Sequence, residues 1–270
     1  MHPARIAELL QPFLSSLSNP CHSEPAKAGE EPAVLSPSQL QYISTYIDIL
    51  LRWNARINLT AIRDPEGIVT RHFGESLFAA RHLFPLYPVS SSVPSVFPVL
   101  KDLDSTNDQR PTTSDRVADV GSGAGFPGIP IKLWAPHIAL TLIESNQKKA
   151  TFLREVARAL TLTDIDIFPG RAQTLAEGLA ANPAVPPPAE DPRTNPPRTF
   201  DLVTLRAVER FHDVLPIAAR LVANGGRLAL LIGTSQIHLA RSRLPTFAWQ
   251  QPLPIPGSRS RVLFVGLFPG

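Results

Sequence analysis

From Pro3 to Leu17 the apolar residues Ile6, Leu9, Leu10, Phe13, Leu14 and Leu17 recur every three or four positions, the spacing of one buried helical stripe. A single stripe needs a partner. The next helical pattern, from Ser38 to Asn54, supplies one with Leu40, Ile43, Ile47, Leu50 and Leu51 on a common face. A third helix is expected to start at Asp64-Pro65-Glu66, where an N-cap carboxylate, a proline at the first helical position and a first-turn acid coincide, and to run to Phe84. Beyond residue 115 the period changes. Short apolar runs alternate with helical ones: RVADV then GIPIKLWA, IALTLIE then NQKKATFLREVARAL, DIDIFPG, FDLVTLRA then HDVLPIAARLVA, an Asn224-Gly225-Gly226 turn and RLALLIG. This alternation predicts the α/β class, a mainly parallel sheet covered on both faces by helices. FAWQQPLPI and RVLFVGLF, joined by Pro256-Gly257-Ser258-Arg259, are expected to close the sheet as an antiparallel hairpin.

Three stretches break the pattern. Residues 18–37 are rich in Pro, Ser and Glu; residues 85–115 carry Pro85, Pro88, Pro94, Pro98 and Pro111; residues 182–197 read NPAVPPPAEDPRTNPP. Proline has no N–H to donate, so none of these can be a helix interior or a central strand. They divide the chain into a helical N-terminal region at 1–84 with a linker at 18–37, an insertion at 85–115, and a sheet domain at 116–270 with a loop at 182–197.

With 270 residues, 43% of them hydrophobic, the chain can bury a full core. Its net charge of +3 is unevenly spread: from Leu205 onward, eight arginines face only Glu209 and Asp213. Such an excess is either a surface for phosphate or ordinary solvated arginine. The single Cys21 permits no internal disulfide and no zinc-ligand set, which fits a reducing compartment. No run approaches the ~18 apolar residues of a membrane span, and the N-terminus lacks an export signal pattern, so a cytoplasmic location is expected.

The densest chemical signal is VADVGSGAGFPG, residues 117–128, at the first strand-to-helix turn, where ligands of such sheets approach the backbone. Gly121, Gly123 and Gly125 remove the Cβ atoms that would block a ligand. Gly123, Gly125 and Gly128 satisfy the G-x-G-x-x-G dinucleotide fingerprint, which by itself would allow an NAD-dependent oxidoreductase. In another frame, Asp119 lies two places before G-x-G-x-G, which resembles the first motif of S-adenosylmethionine-dependent methyltransferases. A carboxylate there suits a cationic sulfonium and ammonium and repels a pyrophosphate. Glu144, about 20 residues on, stands where an acid hydrogen-bonds ribose hydroxyls in either cofactor class.

DVGSGAGFPGIPIKL, preceded by LLRWNARINLTAI and RHFGESL, resembles the RsmG family, also called glucose-inhibited division protein B, which methylates N7 of one guanine in 16S ribosomal RNA. The resemblance implies a class I, Rossmann-like S-adenosylmethionine-dependent methyltransferase core behind a helical N-terminal region, with the small ribosomal subunit as partner, no metal, no membrane and a monomeric state. Carried over by motif, it implies cofactor contacts from Gly121, Phe126, Ala172, Gln173 and Arg206, with a backbone N–H the natural contribution of Ala172 and burial in the core the alternative for Phe126. Three departures stand out. Gln173 replaces the family's usual acid, Glu75 stands in its HFxDSL pattern, and Ile232 replaces the lysine before Gly233, leaving Arg241, Arg243, Arg259 or Arg261 to hold RNA phosphate. They keep open a ribosome binder of the same fold that has lost turnover.

Neutral guanine N7 carries a lone pair and no proton, so the reaction needs alignment rather than a general base; orientation can supply ~7–11 kcal/mol. Arg206 is the first candidate to orient the target base or its phosphate, followed by His72 and Arg71. Asn54 and Asn58 are expected to brace a helix end and Trp53 to lie in the core. RNA's deep major groove hides N7, so the guanine is expected from an irregular region. Lys148, Lys149, Arg154 and Arg158, opposite the Ala150, Leu153, Ala157, Leu160 stripe, form either a solvated face or an RNA contact.

Overall fold

The computed structural model describes residues 1–15, 34–85, 115–180, 199–208 and 210–269. The stretches expected to be linkers at 18–37, 85–115 and 182–197 lie almost wholly outside these residues, as do Leu17, Cys21 and Glu209.

Apolar strand runs pair as β1 (Arg116–Val120), β2 (Ala139–Ile143), β3 (Ile165–Phe168), β4 (Phe200–Arg206) and β5 (Val222–Gly233), all parallel. The sheet continues through β6 (Ala248–Trp249), β7 (Leu253–Pro254) and β8 (Arg261–Leu267), in the order β3-β2-β1-β4-β5-β8-β6, with β7 also on β8. Strand β8 runs antiparallel to β5, β6 and β7, as the hairpin pattern requires. This is the class I methyltransferase arrangement. Its strand order reverses between β1 and β4, and that reversal opens a crevice at their carboxyl ends.

The helices are α1 (Pro3–Leu14), α2 (Pro37–Asn54), α3 (Pro65–Gly67), α4 (Glu75–Leu83), α5 (Gly128–Trp134), α6 (Gln147–Ala159), α7 (Ala172–Ala180), α8 (Phe211–Ala219) and α9 (Ile237–Arg243). Helix α2 starts at a reciprocal cap: Ser36 Oγ accepts from Gln39 N–H at 3.2 Å, and Gln39 Oε1 accepts from Ser36 N–H at 2.8 Å. Asp64 Oδ1 accepts from Gly67 N–H at 2.5 Å and opens α3. From there the chain stays helical to Leu83, but Ile68–Gly74 widens into a π-helical stretch, a feature concentrated at functional sites.

Two expectations change. Helix α1 ends at Leu14. Asn224-Gly225-Gly226 is no turn between helix and strand, because β5 already begins at Val222 and the register slips between Phe200↔Val222 and Leu202↔Arg227. The extra residues form a bulge that Gly225, at φ +73°, permits. Phe268 pins it, donating to Gly226 O at 2.9 Å and accepting from Gly225 N–H at 3.2 Å.

On one face of the sheet, Ile6, Leu10, Ile43, Tyr46, Ile47 and Phe73 share a continuous apolar core with Leu140, Leu142, Phe152 and Leu153. The N-terminal helices are thus packed into the body of the fold. Helices α8 and α9 cover the other face through Phe211, Leu215 and Ala240.

Candidate cofactor site

Turns after β1, β2 and β3 converge at the carboxyl edge of the sheet. Gly121 and Ser122 donate to Ile143 O at 2.9 and 3.1 Å, Gly123 N–H donates to Glu144 Oε2 at 2.8 Å, and Glu144 N–H donates to Phe168 O at 3.1 Å. The second Glu144 oxygen accepts from Asn146 N–H at 2.7 Å, so this one side chain ties the glycine loop to the start of α6. An ionised carboxylate accepts about four hydrogen bonds, which leaves Glu144 capacity for ribose hydroxyls.

The four glycines divide by what surrounds them. Gly121 and Gly123 have φ of +71° and +56°; among the described residues, a Cβ on Gly123 would meet only Gly121 O at 3.8 Å, and one on Gly121 only Val208, at 3.4 Å or more. Space above them is open, a cradle that fits a nucleoside-type ligand approaching the backbone. Gly125 and Gly128 instead face packed side chains. A Cβ on Gly125 would collide with the Tyr46 hydroxyl and Ile129 Cδ1, and one on Gly128 would lie 2.6 Å from Leu142 Cδ2.

Ala172 and Gln173 begin α7, just past β3, with first-turn N–H groups that have no acceptor within the helix. Ala172 is half-buried, and the exposed Gln173 carboxamide donates to Glu177 Oε1 at 2.6 Å.

Four candidates turn their side chains inward. Asp119 sits beneath the loop, 1% exposed, accepting from Thr204 Oγ1 at 2.8 Å and Gly128 N–H at 3.2 Å. Burial raises its pKa to about 6, against the pull of these hydrogen bonds. Its charge is therefore turned inward, and the contrast between sulfonium and pyrophosphate gives way to a positioning role for the loop and α5. Phe126 is buried as well, stacked on Tyr46 at 5.3 Å and on His72 at 4.8 Å between ring centroids.

Arg206 and His72 are joined to each other rather than presented to a substrate. The Arg206 side chain is 8% exposed and donates to Glu75 Oε2 from Nε (3.2 Å) and Nη2 (3.0 Å), to Arg71 O (2.7 Å) and to His72 Nδ1 (3.1 Å). Because a guanidinium only donates, His72 Nδ1 is the acceptor and its Nε2–H donates to Thr60 Oγ1 at 2.7 Å. Burial, then the Arg206 charge, lowers the His72 pKa to about 3, which keeps the ring neutral. Arg261 also reaches Glu75, so it is not available as a free phosphate ligand in place of the missing lysine. Asn54 braces the end of α2 as expected, accepting from Leu59 and Thr60 N–H at 2.9 and 3.1 Å.

The residue that sequence reasoning missed is Tyr46. Fully buried on α2, it donates its hydroxyl to Ala124 O inside the glycine loop and occupies the space that a Gly125 side chain would need. Its place three residues after Ile43, on the same helical stripe, was the available signal. Tyr46→Phe is expected to lower stability by about 1–2 kcal/mol through the stranded carbonyl and to weaken cofactor binding while leaving affinity for RNA unchanged. Thermal unfolding and calorimetric titration would read this; unchanged cofactor affinity would mean that the hydroxyl does not position the loop.

Residues 39–85 and 103–243 match the sequence model of GidB, described as rRNA small subunit methyltransferase G. Proteins named ribosomal RNA small subunit methyltransferase G are similar over most of the chain. That of Chloroflexus aggregans is 31% identical over 238 residues, 86% of this chain and 82% of its own length. That of Xylella fastidiosa is 34% identical over 188 residues, 70% of this chain and 66% of its own, and that of Bacillus pumilus 31% over 202 residues, 75% and 67%. With the methyltransferase sheet order and the open glycine cradle, these matches establish that the chain belongs to the rRNA small subunit methyltransferase G family.

Proposed function

We propose that this chain transfers a methyl group from S-adenosylmethionine to N7 of a guanine in the 16S RNA of the small ribosomal subunit, acting as a cytoplasmic monomer. The observation that carries the reading is the open backbone of Gly121 and Gly123, held by Glu144 at the β1/β4 crevice, in a chain of this family. When bound, S-adenosylmethionine supplies an electrophilic methyl that the N7 lone pair accepts without prior loss of a proton. Gly121 and Gly123 would hold it through their backbone, Glu144 through its carboxylate, and Ala172 and Gln173 through groups at the start of α7. Val208, beside Gly121, borders the cradle from the turn after β4. The side chains beneath the loop fix its position: Asp119 from below and Tyr46 from α2. Such alignment is what this reaction requires. A neutral His72 with a pKa near 3 agrees with a mechanism that needs no imidazole base. Among the described residues, no helix is long and apolar enough to cross a membrane.

The test is transfer of labelled methyl from S-adenosylmethionine to 30S subunits prepared from cells lacking the endogenous enzyme, with the modified nucleoside identified by mass spectrometry. 7-Methylguanosine in the 16S RNA is the expected product. Failure to incorporate label by a protein that still binds S-adenosylmethionine would overturn the reading in favour of a silent ribosome binder or another acceptor.

A further inference from the structure

Folding redistributes the positive charge relative to the sequence. Of the eight arginines after residue 204, Arg206 and Arg261 meet at Glu75, Arg220 donates to Ala176 O and Arg227 to Leu83 O. Arg210, Arg241, Arg243 and Arg259 stay exposed, but half of the C-terminal arginines are thus tied to other groups of the chain. Helix α6 shows the opposite. Its outer face carries Lys148, Arg154 and Arg158, all exposed, while Lys149, half-buried, stands in the first turn on the inner side. Among the described residues none of these four forms an ion pair. Glu155, the only acid in the helix, is already taken: its Oε2 accepts from Trp53 Nε1 at 2.9 Å, and Arg52 on α2 lies 3.7 Å from its Oε1. Arg52, 71% exposed, extends the basic stripe onto α2.

An ordinary solvated helix face places acids in the first turn and spaces opposite charges four apart. Helix α6 has no acid in its first turn, and Lys148 and Lys149 stand there instead, at the positive end of the helix dipole. Local rules are broken in this way where function demands it. The location matters too. Helix α6 starts directly after the turn in which Glu144 holds the cradle, so the stripe begins at the rim of the cofactor site. From Lys148 to Arg158 it extends about 15 Å at 1.5 Å per residue.

We infer that the outer face of α6, continued by Arg52, is the track for the phosphodiester backbone of the RNA acceptor. The inference rests on the proposed reading that the acceptor is RNA. Lys148, Arg154 and Arg158, without ion pairs among the described residues, would attract phosphates by releasing condensed counterions, and each contact adds to the salt dependence of binding.

The test is filter retention of 16S RNA by the full chain between 50 and 200 mM salt, comparing wild type with the triple variant Lys148→Gln, Arg154→Gln, Arg158→Gln. The expected result is a dissociation constant raised about tenfold or more, and a slope of log K against log salt shallower by roughly 1 for each residue replaced. Affinity for S-adenosylmethionine should be unchanged, which shows that the fold and the cradle are intact. An unchanged salt slope would overturn the track. So would an equal effect from the control pair Arg241→Gln, Arg243→Gln on α9, since the contribution would then be diffuse charge. Retention measures binding and not methyl transfer; a wild type that holds the RNA but makes no 7-methylguanosine overturns the proposed function and leaves the track standing.

Discussion

Replacing Glu75 by glutamine is expected to lower the stability of the fold by about 3–5 kcal/mol, the usual result of removing one partner from a buried ion pair. At ~2–4 °C per kcal/mol for a chain near this size, the melting temperature should fall by about 6–20 °C. The carboxylate is 2% exposed and gathers three guanidinium groups: Arg206 Nη2 at 3.0 Å, Arg261 Nε at 3.0 Å and Arg71 Nε at 3.4 Å. Glutamine keeps the shape and removes the charge, which leaves Arg206 buried beside a second cation. Arg71 is 57% exposed and adds little, because solvent screens its attraction. What the clasp holds is specific. Arg206 ends β4, Arg261 begins β8, and Glu75 opens α4, so one acid fastens the N-terminal helices to the carboxyl edge of the sheet. Scanning calorimetry would read the effect, and a melting temperature within a degree of wild type would remove Glu75 from that role. Arg206→Ala removes the most buried partner of the same carboxylate, so loss of methyl transfer in that variant carries information only beside its melting temperature. Transfer lost at unchanged stability would return Arg206 to direct contact with substrate or cofactor.

The contrast between Glu75 and Glu144 shows which parts of this site short-range pattern can reveal. Glu144 ends a strand next to a glycine-rich turn, and both features lie within one β-α-β unit, so spacing along the chain carries the information. Glu75 and Arg206 are 131 residues apart, and neither sits in a local pattern that names the other. Tyr46 belongs to the apolar stripe of α2, but its partner Ala124 is 78 residues away, and only the packing of α2 on the sheet brings them together. Strand and helix periods predicted β1 to β5 and α6 because burial dictates them: Ala150, Leu153, Ala157 and Leu160 are all buried. Asp119 was misplaced for a related reason. The motif drew attention to its charge, whereas the two-residue alternation of β1 puts it on the same face as buried Val117, turned toward α5. The π-helical stretch escaped because its seven residues are too few to set an apolar period of their own. Arginine counts left the choice open, since a tally along the chain does not distinguish Arg227, donating to Leu83 O, from a surface cation.

Gly123→Val should reduce affinity for S-adenosylmethionine by about 100-fold or more, roughly 2.8 kcal/mol, and abolish measurable methyl transfer, with the fold retained. Two effects have to be separated. A β-branched residue at φ +56° is strained whatever surrounds it, at about 1–2 kcal/mol, and this alone would lower the melting temperature by ~2–8 °C. Among the described residues, a Cβ at this position has nothing nearer than Gly121 O at 3.8 Å. Any loss of binding beyond the strain therefore comes from filling space that the ligand needs. Gly225→Val is the matched control: φ is +73°, a Cβ there has nothing within 4 Å, and the residue lies on the β5 bulge, near the end of the strand opposite the cradle. It should show a similar fall in melting temperature with S-adenosylmethionine affinity unchanged. If both variants lose affinity equally, the effect belongs to general loosening of the fold. If neither does, the backbone at Gly123 is not where the cofactor rests, and the cradle over Glu144 loses its assignment.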